Sequence, residues 1–253
     1  MKLHLACITL ICATLLGAQA LAASAHQEHP RQLKWEFDGV FGTFDEQAIQ
    51  RGLQVYKQVC ASCHGLTRVA FRELTKVGFS ENEVAKLASD YTFTDGPNDD
   101  GDMFERPGRA SDKFPAPYAN ENAARSINNG AYPPDLSLMV KARPDGANYV
   151  YSLLTGYKDA GDTPVGDGQY YNPYFPGGLL SMAPPLMDDM VEYQDGTKAS
   201  MDQMARDVVS FLQWAAEPEM QERKRMGIKV MLFLFVFTIL FYIAKKRVWA
   251  DLH

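Results

Sequence analysis

The longest apolar run in this chain is Met226 to Ala244, MGIKVMLFLFVFTILFYIA, 19 residues with Lys229 as the only charge. A helix of that length crosses about 30 Å of hydrocarbon at about 1.5 Å per residue. Apolarity on every face predicts a membrane span over residues 226–245 rather than a core helix. Lys229 sits in the first turn, from which its side chain reaches the headgroups. Tyr242 and Trp249 suit the opposite interface. A second run, Leu5 to Leu16, is 12 residues, short for a span. It follows Lys2 and leads into small residues, and this pattern predicts a secretory signal over residues 1–25. Cleavage is expected at about residues 20–25, where Ala18-Gln19-Ala20 and Ala23-Ser24-Ala25 offer small-x-small sites.

Between the two runs the apolar residues recur at helical spacing. Thr43-Phe44-Asp45-Glu46 has the form of a capping box and predicts a helix to about Cys60, with Ile49, Leu53 and Tyr56 on one stripe. Ser80 and Glu83 form a second box, ahead of Val84, Leu87 and Ala88. Tyr149 to Thr155 predicts a helix closed by Gly156. Ser200 to Ala216 is the strongest pattern: a Ser200/Gln203 box, then Met204, Val208, Phe211, Leu212 and Ala215. Pro218 marks the join to the span. Residues 95–118 and 159–178 are rich in Gly, Pro, Asp and Asn and predict long irregular loops, with few strand signals anywhere. Loops of that length in a compact domain are usually functional. The expectation is a mainly α domain over residues 26–225, one transmembrane helix, and a tail over 246–253.

Basic residues flank the span on both sides, Arg223-Lys224-Arg225 and Lys245-Lys246-Arg247, so the positive-inside rule alone does not orient it. The secretory signal does: the large domain is exported and the tail stays in the cytoplasm. The whole chain has 253 residues and a formal charge of −6. Setting aside Lys2, and Lys229, Lys245, Lys246, Arg247 and Asp251 beyond residue 225, leaves 20 basic and 30 acidic residues, a net of −10 on the exported domain. That balance argues against a nucleic-acid partner.

Loss of the signal would also remove Cys7 and Cys12, leaving Cys60 and Cys63. They lie in Cys60-Ala61-Ser62-Cys63-His64, the C-x-x-C-H pattern for covalent haem attachment. Each thiol adds across a haem vinyl group, and the spacing lets both sulfurs reach from one turn of chain. The adjacent His64 presents a ring nitrogen to the iron. Zinc would need four ligands, and the mature chain would have no further Cys, while its spare histidines lie at the ends. A redox dithiol would be expected in a βαβ setting, which the pattern lacks. With the other histidines of the mature chain confined to the first residues of the domain, His26 and His29, and to the C-terminal His253, the other axial ligand is a methionine or an open position. Among Met103, Met139, Met182, Met187, Met190, Met201 and Met204, Met182 is favoured, because Gly177–Pro185 is an apolar loop stiffened by two prolines. Met187 and Met190 stay as alternatives. Haem propionates require donors, and Arg125 and Arg143 bracket Asn128–Ser137, where Pro133-Pro134 forms a rigid wall; spacing does not choose between the two arginines.

The ordered set VCASCHG, NNGAYPPDLS, YVYSLLTGY, YYNPYFPGG, SMAPPL and FLQWAAEPE, then RKRMG and a single span, resembles the cytochrome c1 family from about Trp35 onward. The resemblance implies a class I c-type cytochrome domain with long ordered loop insertions. It implies one haem c held by Cys60 and Cys63, with His64 and Met182 as axial ligands. Asn128, Pro133, Pro134, Arg143 and Tyr149 would line the haem, which favours Arg143 over Arg125. It further implies a subunit of a dimeric cytochrome bc1 complex in the bacterial inner membrane, beside cytochrome b and the Rieske iron–sulfur subunit. The electron acceptor would be a basic cytochrome c, and Asp95, Asp99, Asp100, Asp102 and Glu105 would form an acidic docking patch for it. A free membrane-anchored cytochrome, or a haem enzyme with an open iron position, shares the attachment motif but not the later ones.

Overall fold

Asp45, rather than Thr43, starts the first helix of the computed structural model. The structure describes residues 27–252, so the expected signal over 1–25 lies outside the described residues. Helix α1 is Glu46–Val55, and the Asp45 carboxylate accepts the Gln47 amide at 2.9 Å. Thr43 is engaged elsewhere, its amide donating to the Glu36 carbonyl at 3.0 Å. The helix does continue to Cys60, but through one wider turn, Tyr56–Cys60, in which Ala61 N–H donates to the Tyr56 carbonyl at 2.8 Å. Such bulges reorient the residues that follow and recur at functional sites. A short 3-10 helix, Phe71–Val77, ends at Gly78, whose φ of +89° suits glycine.

Four further helices complete the domain: α2 Glu81–Ser89, α3 Glu121–Ile127, α4 Gly146–Thr155 and α5 Met201–Ala216. The Ser80/Glu83 box is formed in both directions. At α5 only half of the expected box exists. Ser200 accepts the Gln203 amide, while the Gln203 side chain donates to Asp207 at 3.1 Å. Helices α1 and α5 cross at Gly52, where a β-carbon would lie 2.1 Å from the Asp207 carbonyl oxygen. Beside that crossing Arg51 grips the buried Asp207 through two bonds of 2.9 and 3.0 Å and reaches Asp195 at 2.9 Å. The core beneath is aromatic: Phe71 lies 4.3 Å from Phe114, and Tyr56 packs on Phe211 at 5.7 Å between centroids.

The long loops are more regular than their composition suggests. Within and beside residues 95–118, β1 Thr92–Asp95 pairs antiparallel with β2 Phe104–Pro107. Within 159–178 and just beyond, β3 Tyr170–Tyr171 pairs with β4 Leu179–Leu180. These strands are too short and too exposed to leave a two-residue period in the sequence. Helix α3 also went unsignalled, because it buries only Ala124.

The last long helix, α6 Met220–Val248, is long and apolar enough to cross a membrane. It begins six residues before the apolar run because its first turn belongs to the domain: Met220 is 3 % exposed. Lys76 pairs with Glu219 and with Glu73, and Lys141 lies 3.4 Å from Glu217, which also pairs with Arg223. The chain is thus a helical domain fixed to a membrane-length helix.

Candidate haem site

Cys60, Cys63 and His64 sit on the tight turn that follows the wide turn of α1. Cys63 and His64 amides both donate to the Cys60 carbonyl, at 3.1 and 2.9 Å. Tyr56, buried one turn earlier, donates its hydroxyl to the His64 carbonyl at 3.1 Å. Both cysteines are free thiols. Burial pushes the Cys60 thiol up to about 12, so it is protonated at neutral pH.

The His64 ring is oriented from across the site. Its Nδ1 lies 2.8 Å from the Pro134 carbonyl oxygen. A carbonyl only accepts, so Nδ1 carries the proton and Nε2 presents its lone pair. Among the described residues Nε2 has no hydrogen-bond partner. Burial lowers the His64 pKa, against smaller upward effects of Pro134 and Asp135, which favours the neutral, ligating form.

Pro134 is placed by a staple between residues 64–68 and 134–137. Leu136 N–H donates to the Gly65 carbonyl at 2.9 Å. Asp135 accepts the amide and hydroxyl of Thr67, at 2.8 and 2.9 Å, and the Ser137 amide at 2.9 Å. Arg68 N–H completes it on Ser137 Oγ at 3.1 Å. Burial raises the Asp135 pKa, but the hydrogen bonds from Ser137 and Thr67 outweigh it and the net shift is downward. Tyr56 was read from sequence only as part of a core stripe, and Asp135 and Ser137 were not read as site residues, although the Asp-x-Ser spacing of an Asx turn was the available signal for them.

The methionines separate by environment. Met204 is in the core, and Met139 and Met201 pack against it. Met103 and Met187 are exposed, and the exposed Met190 has its sulfur 3.1 Å from the Met187 amide. Met182 is the half-buried one outside the core cluster, two residues after β4. Its carbonyl accepts the Tyr157 hydroxyl at 2.9 Å.

The two arginines also differ. Arg125 is committed to Glu121, to the Gly130 carbonyl at 2.8 Å and to the Tyr132 ring. Arg143 is exposed and donates to the carbonyl of its neighbour Ala142 at 3.1 Å. Tyr149 is buried beside it: burial raises its pKa and the Arg143 charge opposes the rise. Asn128 caps α3, donating to Ala124 and to Tyr118, and Pro133 is half-buried. In the acidic hairpin Asp95 is already paired with Arg106, which lowers its pKa, whereas Asp99, Asp100, Asp102 and Glu105 are exposed.

Among the described residues no three His, Cys, Asp or Glu side chains converge on a metal position. An iron that arrives already held in a porphyrin ring needs few protein ligands. Two free thiols one turn apart and an imidazole with Nε2 available fit that group. The class is a membrane-anchored c-type cytochrome.

Comparison with known proteins is specific. Residues 35–252 match the Cytochrome C1 family. Cytochrome c1 of Rhodospirillum rubrum is 49% identical over 236 residues, 86% of each chain. Cytochrome c1, heme protein, mitochondrial, of Saccharomyces cerevisiae is 49% identical over 241 residues, 94% of this chain and 77% of its own. The "Cytochrome b-c1 complex catalytic subunit, mitochondrial" of Candida albicans is 47% identical over 241 residues, 94% of this chain and 83% of its own. The chain belongs to the cytochrome c1 family. It carries a covalently bound c-type haem and works in electron transfer.

Proposed function

We propose that this chain is the haem subunit of a bacterial cytochrome bc1 complex, taking single electrons from the Rieske subunit and passing them to a basic cytochrome c. The observation that carries this reading is the 2.8 Å contact of His64 Nδ1 with the Pro134 carbonyl, beside two free thiols. The haem, when bound, supplies reversible one-electron chemistry. Cys60 and Cys63 would attach it, and His64 and Met182 would hold its iron. The Pro134 carbonyl keeps His64 in one tautomer and raises its basicity. The Tyr157 hydroxyl, holding the Met182 carbonyl, fixes the loop that delivers the thioether. Arg143, with Tyr149 beside it, meets the propionates, since Arg125 is turned toward Glu121 and the Gly130 carbonyl. Asn128 and Pro133 wall the pocket.

Cytochrome b is the membrane neighbour of α6, consistent with the b-c1 complex named for the Candida relative. The domain faces the periplasm, the C-terminus lies in the cytoplasm, and the parent complex is a dimer. Asp99, Asp100, Asp102 and Glu105 receive the basic partner, while Asp95 shapes the hairpin that presents them. A methionine thioether held at the iron would raise the potential and keep exogenous ligands off it. Met182→Leu is therefore expected to lower the midpoint potential and to open the reduced protein to carbon monoxide. An unchanged potential and spectrum in that variant would remove Met182 from the site.

A further inference from the structure

The turn ahead of α1 has an apolar tip that none of the described residues covers. Phe41 is 84% exposed, the highest value of any large apolar side chain described, and Val40 is 63% exposed. The turn itself is firmly built. Trp35 N–H donates to the Asp38 carboxylate at 3.0 Å, and Asp38 N–H returns to the Trp35 carbonyl at 3.1 Å. Thr43 N–H closes it on the Glu36 carbonyl at 3.0 Å. Phe37 and Phe44, on either side of the tip, are buried and pack together at 6.0 Å. At Gly42 a β-carbon would lie 2.1 Å from the Asp38 carbonyl oxygen, so glycine is needed for the chain to fold back.

Lys224 ties this turn to the membrane-length helix. Its ammonium donates to the Phe37 carbonyl at 2.7 Å and the Gly42 carbonyl at 2.9 Å, one on each shoulder of the tip. Lys224 is two residues before Met226, where the apolar run begins. At about 1.5 Å of rise per residue, that is about 3 Å along the axis. Arg223, which pairs with Glu217, and Arg225 flank it, a basic cluster at the end of the domain next to the apolar run. Gly227, Ile228 and Met231 follow Lys224 on the same helix face, at i+3, i+4 and i+7. Ile228 and Met231 are exposed, and Gly227 has open space beside it.

We propose that Val40 and Phe41 insert into the headgroup–acyl boundary of the bilayer as a second membrane contact beside α6. The proposal rests on the reading of α6 as the membrane anchor. Lipid is favoured over a partner protein because the tip continues the surface of a lipid-crossing helix at the level of its basic cluster. Two apolar side chains on a turn that also exposes Glu36, Asp38 and Thr43 offer far less area than a specific protein interface buries. Two contacts at separate points fix the tilt of the haem domain over the membrane, which a single helix would leave free to swivel.

The test is nitroxide labelling of Phe41→Cys in the haem-loaded full chain, placed in phosphatidylcholine–phosphatidylglycerol nanodiscs and then repeated in the purified complex. Asp99→Cys is the aqueous reference and Leu234→Cys, within the span, the lipid reference. An intact haem spectrum certifies each variant. The oxygen-to-nickel collision ratio at position 41 is expected to exceed that at 99 several-fold and to approach that at 234. A nickel-accessible label at 41 with a lipid-like label at 234 overturns the insertion and leaves the anchor standing. Nickel access at both positions overturns the anchor as well. Shielding of position 41 from both reagents in the complex assigns the tip to a protein partner and also overturns the proposal.

Discussion

The residues that orient His64 act through hydrogen bonds between segments about seventy residues apart. The His64–Pro134 contact spans 70 positions and the Thr67–Asp135 bond spans 68. That separation explains what could be seen in advance. Cys60, Cys63 and His64 were legible because the thioether and iron bonds demand a fixed local spacing. Asp135, Tyr56 and Tyr157 were not, because no fixed spacing ties them to Thr67, His64 and Met182, the residues they bond. Asp135 makes the arrangement testable. Its pKa is lowered in the folded chain, burial pulling up and the Ser137 and Thr67 bonds pulling down more strongly. The stability it adds is therefore full above the unfolded carboxylate value of about 3.9 and is lost as pH falls through the lower folded value. Asp135→Asn is expected to lower stability at neutral pH and to flatten the acid limb of the stability profile. Denaturant unfolding followed from neutral to strongly acid pH checks this, and an unchanged acid limb would contradict the staple.

At the scale of elements, the helices with side-chain caps and a broad apolar stripe were visible in the sequence, and their ends fell within a few residues. What the pattern missed were the two short hairpins, α3, which buries only Ala124, and the 3-10 helix Phe71–Val77, too short to show a helical period. The residue most demanding at this scale is Gly52. Helix propensity alone makes Gly52→Ala stabilising by about 1 kcal/mol. The 2.1 Å approach of a β-carbon to the Asp207 carbonyl oxygen makes it a backbone clash instead. Overpacking of this kind costs about 1–3 kcal/mol. The two effects have opposite sign, so Gly52→Ala is expected to lower the thermal midpoint of the holoprotein. A raised midpoint in calorimetry would mean that α1 and α5 do not cross so closely.

For the whole molecule, the distribution of charge and of apolar surface assigns two ends with different tasks. The domain carries the net of −10 over residues 26–225, and α6 carries the apolar surface and a basic terminus. Part of the acidic surface is internally spent, as the Asp95–Arg106 pair shows, while Asp99 and Asp100 at the hairpin tip are not. Electrostatic steering raises encounter rates and fades with salt. Asp99→Asn with Asp100→Asn is expected to slow reduction of a basic cytochrome c at low ionic strength and to converge with the parent at high salt. Equal second-order rates throughout a salt series would take the patch out of docking. The central claim is that the chain is a six-coordinate, one-electron haem carrier within a complex that also holds cytochrome b. Its most direct test is a reduced-minus-oxidised spectrum of the complex purified through this chain, recorded with and without carbon monoxide. The account predicts c-type and b-type haem bands together, with the c-type bands unmoved by the gas. A c-type signal alone, or c-type bands displaced by carbon monoxide, would contradict it.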